Sequence, residues 1–445
     1  MSAPSTPPRI SLLTATCIVI ANMIGTGVFT SLGFQVADLP TGFAIVFLWI
    51  VGGICAMCGA LSYAELAAAL PRSGGEYHFL REIYHPSLGF LAGWISATVG
   101  FSAPVAIAAM PFGTYLAEIF PTINPLFAAI ASVALVTFVL LCDLQLGSAF
   151  QIGSTILKVA LIVVLIAAGF FATKTQTISF LPIKSDPALI ASAPFAISLY
   201  WVMYAYSGWN ASTYITGEIR NPRRNVPLSL IFGTIVVIIL YVCVNAIFLR
   251  TTPAAEMIGK QQVALVASTH IFGSTGGKIM AAFICLGLIS TISAMMWIGP
   301  RVTMTMGEDI PAIAFFARKS STGAPAYAIL FQLAAASLLL FTNSFEAVLE
   351  FIQFSLLFCS FFAVLGVIVL RITRPDLPRP YRAWGYPLSP LVFLLVTGFM
   401  MYYLLTTKPE PSLLGLLIML SGLLIYAVFR KQSAKGPAAA SPGRE

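Results

Sequence analysis

The sequence predicts an all-α polytopic membrane protein with about twelve transmembrane helices. Three observations carry that expectation. Hydrophobic residues make up 58% of the 445 positions and charged residues only 9%, whereas a soluble domain carries about 25% charged residues. So few charges cannot cover a globular surface of this size. The apolar runs are near the roughly 20 residues a spanning helix needs, and about twice the 10-residue alternating segments of a membrane β-barrel. The basic residues are also unevenly placed. With the N-terminus set in the cytoplasm, seventeen Lys and Arg fall on that side, six on the far side, and Lys158 alone lies within a span. That asymmetry places both termini in the cytoplasm, so the net charge of +8 reflects topology and not a nucleic-acid site. Disordered, collagenous and disulfide-scaffold classes fail on the same composition.

In chain order the runs lie near 12–32, 42–70, 88–118, 126–143, 149–172, 188–217, 226–249, 277–306, 325–342, 346–372, 387–407 and 411–430. Residues 1–11 form a short cytoplasmic start with no small-residue cleavage site behind it, so no removable signal peptide is expected. The Pro/Ala/Ser/Gly-rich tail, 432–445, is expected to be disordered. All seven cysteines lie in apolar segments, where they read as small buried hydrophobes. Cys55 and Cys58 form a CxxC with no second ligand pair. The three histidines, His78, His85 and His270, stand near no Ser or Cys with an acid partner. No metal, cofactor or hydrolytic machinery is expected.

The informative positions are interruptions of good spans. In the first, Gly25-Thr26-Gly27 sits mid-span; each helical glycine costs about 1 kcal/mol relative to alanine, and the hydroxyl between them favours unwinding. In the sixth, Tyr204-Ala205-Tyr206-Ser207-Gly208-Trp209-Asn210 does the same. Unwound backbone is tolerated at membrane depth only where it is buried or lines a cavity. A pair of interrupted spans at matching places in two halves points to a binding site between inverted repeats. Residues 12–172 and 188–372 then form the two repeats of a ten-helix transport core, inverted because each holds an odd number of spans. Residues 387–430 are two appended helices.

Three motifs resemble the amino acid–polyamine–organocation superfamily: Ile24-Gly-Thr-Gly-Val-Phe29, Pro71-Arg-Ser-Gly-Gly-Glu-Tyr77 and Glu218-Ile-Arg-Asn-Pro-Arg-Arg-Asn-Val-Pro227. The Tyr204–Asn210 run is most similar to the L-type amino acid transporters. The resemblance covers spans 1–10 and implies a five-plus-five inverted-repeat (LeuT-like) fold with discontinuous helices 1 and 6. It also implies amino acid transport by alternating access.

An α-amino acid presents a carboxylate and an ammonium on one carbon. N–H groups freed around Thr26 and Gly27 suit the carboxylate, because a helix N-terminus is an anion site. Carbonyls near Met23 and along Tyr204, Ala205 and Ser207 suit the ammonium, and the resemblance implies the same roles. Gly25 and Gly208 give the backbone its freedom, and Gly27 is expected to leave room for the carboxylate. Trp209 and Tyr206 are gate or side-chain-pocket candidates. No Asp or Glu lies in the core of spans 1, 3, 6, 8 or 10, and relatives carrying cationic substrates often have an acid where this chain has Asn210. A neutral substrate is therefore expected. Glu65, Glu346 and Glu350 read as solvated or structural.

Lys158 is a functional candidate because an intramembrane charge costs roughly 2.5–3.5 kcal/mol. By resemblance it matches a span-5 lysine standing where sodium-coupled relatives hold an ion between spans 1 and 8. Its ammonium would brace the unwound backbone in sodium's place, with Thr291 and Ser293 as hydroxyl neighbours, and it is also a candidate proton carrier. The Arg220–Arg224 cluster reads as topology, or as a gate with Glu218. Animal L-type relatives join a heavy chain through a cysteine between spans 3 and 4. The loop Glu118–Asn124 has none, so no disulfide-linked partner is expected and a bacterial inner-membrane protein is the simpler reading. A sensor that binds without transporting is the competing class; the short termini argue against it. A channel would want a polar stripe that is not seen.

Overall fold

The computed structural model describes residues 10–434 except 143, 174, 321, 322, 343 and 408. Residues 1–9 of the expected N-terminal segment lie outside the described residues; of the tail expected to be disordered, 432–445, the first three residues continue the last helix to Ala434 and the rest lie outside the described residues. Ten helices are long and apolar enough to cross a membrane, and two shorter apolar helices, Ala193–Ala205 and Ala326–Leu340, complete twelve crossings among the described residues.

The first crossing is split into α1 (Leu12–Met23) and α2 (Gly27–Gln35). Ser11 starts α1 by accepting the Thr14 N–H at 3.2 Å, the usual role of an N-cap serine. Then come α3 (Gly42–Ala69) and the short α4 (Glu76–Ile83). The third crossing is α5 (Pro86–Ile95) and α6 (Ser102–Ile119), joined by a π turn over Ser96–Gly100. Helices α7 (Pro125–Cys142) and α8 (Leu144–Phe170) end the first half.

After the short α9 (Asp186–Ile190), the sixth crossing is α10 (Ala193–Ala205), a break, and a 3-10 segment over Ala211–Glu218. Next are α11 (Pro222–Thr251), the single turn α12 (Ala254–Met257) and α13 (Val263–Asp309). The sequence places span 8 at 277–306. The helix begins earlier because it turns at Gly273 (φ 77°) and continues outward, past Thr269 and His270, where hydropathy alone ends the run. Helices α14 (Ala326–Leu340), α15 (Phe345–Thr373), α16 (Leu388–Thr407) and α17 (Pro409–Ala434) follow.

Ion pairs gather at the end of the molecule that carries most of the basic loops. Arg72 grips Asp309 with both guanidinium nitrogens, at 2.9 and 3.1 Å, and Tyr77 donates to the same carboxylate at 2.9 Å. Arg81 completes that cluster. Burial, then the Arg72 charge, pushes His78 down to about 4, so this neighbour is neutral at pH 7. Glu65 is buried and structural: Arg371 meets it at 2.6 Å, Arg379 at 3.5 Å and the Ala383 N–H at 2.7 Å. Glu218 pairs with the buried Arg301 of α13 at 3.0 Å. The side chains of Glu346 and Glu350 lie outside the described residues. Ile10 and Ile219 form an isolated parallel bridge through two 3.0 Å backbone bonds, Ile10 N–H to Glu218 O and Arg220 N–H to Ile10 O.

Candidate functional site

The breaks of the first and sixth crossings lie against each other, backbone on backbone. Gly208 has φ 93°, and a Cβ there would stand 2.9 Å from the Asn22 carbonyl oxygen. Only glycine combines that left-handed conformation with so close an approach. A Cβ on Gly27 would lie 2.6 Å from Ala205 Cα, so the space beside Gly27 belongs to span 6. This corrects the expectation that Gly27 leaves room for substrate. Gly25 is the open position: a Cβ there would touch only Thr291 Cγ2, at 3.5 Å.

A cavity of about 290 Å³ between the breaks is lined by Met23, Gly25, Thr26, Gly27, Tyr204, Ala205, Ser207 and Thr291, together with Asn22, Pro104, Ala108 and Met295. Thr26 precedes α2 and makes no side-chain cap bond. The leading N–H groups of a helix have no intrahelical acceptor and sit at its positive end. One of the leading groups, the Phe29 N–H, is bonded to Thr26 O at 2.9 Å, and the polarity of the α2 start is of the sign that suits an anion.

The carbonyls are more heavily engaged than the sequence suggests. Met23 O receives both the Gly25 N–H, at 2.8 Å, and the Tyr241 hydroxyl of α11. Both lone pairs of a carbonyl are thereby used, which removes Met23 as an ammonium acceptor. Tyr241 also reaches Ala205 O at 3.1 Å, so one buried tyrosine ties off the ends of α1 and α10. Nothing in the sequence marks Tyr241 apart from other tyrosines.

Lys158 is buried on α8 and points at the span-1 break. Its Nζ donates to Ile24 O at 2.7 Å, to Thr291 Oγ1 at 2.7 Å and to Ala21 O at 3.5 Å. Thr291 in turn donates to Ile24 O at 2.9 Å. The ammonium thus stands among three oxygens from spans 1 and 8. Ser293 is not part of this arrangement: two residues on, it lies roughly 200° round the same helix and is buried away from Lys158. A polar seam continues from Lys158 along the same helices: Ser154 donates to Ser290 at 2.9 Å, and Thr155 contacts Cys17 O at 3.4 Å.

A second cavity, about 730 Å³ with open solvent included, adjoins the first through Asn22, Pro104, Ser207 and Met295, which line both. It is lined by Gly208, Trp209 and Asn210 from the sixth crossing and by the π turn of the third. Trp209 packs edge-on against Tyr63 and Phe393 at 4.7 and 5.8 Å. Tyr206 lines neither cavity: fully buried, it donates to Trp49 O at 3.1 Å and packs on Tyr241, so it is a packing residue.

The sequence reading missed an acid here. Glu76, the first residue of α4, is 4% exposed and lines this cavity. Its Oε1 accepts from Tyr63 OH at 2.8 Å and from Asn210 Nδ2 at 2.7 Å. Glu76 lies in none of the spans searched for acids. It arrives because Gly74 (φ 116°) and Gly75 (φ 51°) turn the chain inward; a Cβ on Gly75 would lie 2.3 Å from Tyr214. The Gly-Gly-Glu of the second motif was the available signal. Asn210 is therefore engaged with an acid, not standing in for an absent one. Asn210→Asp is expected to set two carboxyl groups side by side, an arrangement that disfavours ionising both, and to lower uptake of leucine, alanine and arginine alike at least tenfold. A competition series in which arginine gains would overturn this.

A many-helix membrane chain whose two broken helices border a small cavity is a permease-type carrier in build, not an enzyme. The chain belongs to the amino acid permease family, whose model matches residues 10–429. It is 26% identical over 440 residues to the mouse b(0,+)-type amino acid transporter 1, covering 96% of this chain and 89% of that one. It is 28% identical over 439 residues to the serine/threonine exchanger SteT of Bacillus subtilis (strain 168), covering 96% and 98%. It is 27% identical over 436 residues to the human cystine/glutamate transporter, covering 95% and 85%. The protein is a multi-pass membrane amino acid permease.

Proposed function

We propose that the protein carries neutral L-amino acids across a bacterial inner membrane by alternating access, without sodium and by exchange. The observation that carries this is the joined break of spans 1 and 6, with the uncapped α2 start at one wall and the Lys158 ammonium behind it. The substrate carboxylate meets the α2 N–H groups, while Lys158 positions the span-1 carbonyls that a cation would otherwise organise. Gly25, Thr26, Tyr204, Ala205, Ser207 and Gly208 form the backbone cradle, and Trp209 and Asn210 border the side-chain room. The charge asymmetry puts both termini in the cytoplasm, so the Arg72–Asp309 and Arg301–Glu218 pairs lie on the cytoplasmic side. No disulfide-linked heavy chain is called for.

Proton-coupled uptake is the second reading, favoured by the buried Lys158 amine. The test is uptake of labelled amino acid into proteoliposomes, in potassium and in sodium buffer, with and without internal amino acid and with and without a proton gradient. Exchange predicts uptake that needs internal substrate and is indifferent to sodium. Strict sodium dependence would overturn the ion reading, and binding without any uptake would favour a sensor.

A further inference from the structure

From the free face of Glu76 we infer that the carrier selects substrates whose side chains bear a hydrogen-bond donor, which the second oxygen of the Glu76 carboxyl group receives. The inference rests on the substrate placement just proposed. The two side-chain bonds from Tyr63 and Asn210 arrive at Oε1, and the Tyr214 hydroxyl, which accepts from Asn210 at 3.0 Å, stands beside the same carboxyl group. Oε2 is buried and has no hydrogen-bond partner. Glu76 takes part in none of the ion pairs formed among the described residues. A buried acceptor left unpaired is costly, and such a group in a native structure calls for an explanation.

The cavities supply one. A substrate held at the breaks by its carboxylate and ammonium has its side chain directed past Asn22, Ser207 and Met295 into the larger cavity, whose wall includes Glu76. The rest of that wall includes Phe101, Trp209 and Cys359, together with the hydroxyl-bearing Tyr214, Ser96 and Ser360. A plain alkyl side chain there would keep Oε2 unpaired. A hydroxyl, an amide or an ammonium would complete it, and a site built to bond such a group rejects the analogue that lacks it more strongly than an apolar pocket can.

Glu76→Gln is the decisive variant. Tyr63 and Asn210 both donate to the Oε1 side, so the amide oxygen stays there and an NH2 group replaces Oε2, turning the free acceptor into a donor. Competition for exchange in proteoliposomes would use two matched pairs: threonine against valine, and ornithine against norvaline. In the wild type the donor-bearing member of at least one pair should bind better. In Glu76→Gln its affinity should fall at least tenfold more than that of its partner. A change confined to threonine assigns a neutral hydroxyl-type substrate; one confined to ornithine assigns a cationic one and overturns the neutral-substrate reading above while still supporting the inference. Equal losses within each pair, or unchanged ratios, overturn it and leave Glu76 a packing element. If Glu76→Gln does not fold, Glu76→Asp, which retracts the carboxyl group by one methylene, is read on the same ratios. Wild-type protein that exchanges none of the four amino acids would strike at the transport reading itself, a result distinct from unchanged ratios.

Discussion

Lys158→Ala is expected to lower turnover at least tenfold while the protein still reaches the membrane. The wild type should run equally well in potassium and sodium. The substitution removes the one ammonium that joins Ile24 O, Ala21 O and Thr291 Oγ1. Each buried acceptor left without a donor costs about 1–3 kcal/mol, and about 1.4 kcal/mol in a barrier is already tenfold in rate. Thr291 keeps its own bond to Ile24 O, so the loss falls on the geometry of the break and not on the whole helix pair. Initial exchange rates, normalised to protein recovered in the membrane, are the measurement. Full activity of the alanine variant in potassium buffer would reduce Lys158 to an anchor.

Two glycines two positions apart should fail in different ways. Gly27→Val drives a β-branched side chain into Ala205, whose Cα lies 2.6 Å from the built Cβ. Overpacking costs roughly 1–3 kcal/mol even where neighbours can yield, and here the obstacle is backbone. The expected result is a lower melting temperature in detergent and poor recovery. Gly25→Ala adds its methyl group 3.5 Å from Thr291 Cγ2, an ordinary contact, on the wall of the smaller cavity. It should fold like the wild type yet bind substrate at least tenfold more weakly. A Gly27→Val protein with unchanged melting would refute the packing account. A Gly25→Ala protein with unchanged affinity would move the substrate elsewhere.

The crossings and their breaks were legible because hydropathy and glycine placement act locally. Lys158 was legible because an amine in the apolar part of a span must find oxygens, and Thr291 because the family resemblance set span 8 beside it. Ser293 shows the limit of that logic, since proximity in sequence ignores helical phase. Met23 was misjudged because an unwound carbonyl was taken as free, while a tyrosine two hundred residues away already bonds it. Glu76 was missed because it enters from a short helix between spans 2 and 3, on a path set by two glycines at positive φ. Such a path is fixed by tertiary contact, and the Gly-Gly-Glu run is the mark it leaves in the sequence.

The bridge between Ile10 and Ile219 couples the chain mechanically. Its two backbone bonds run in opposite directions between the strand-like start of the first crossing and the end of the sixth. Neither segment can slide along the other without breaking both bonds, so the two behave as one lever with a common fulcrum. The joined breaks lie further along the same pair. In the proposed alternating-access cycle, the separation between these segments is expected to stay constant, with the shear falling instead on the Arg301–Glu218 contact with α13. That contact is formed by side chains and not by the main chain, so it is the one expected to let go and re-form as the proposed cycle turns.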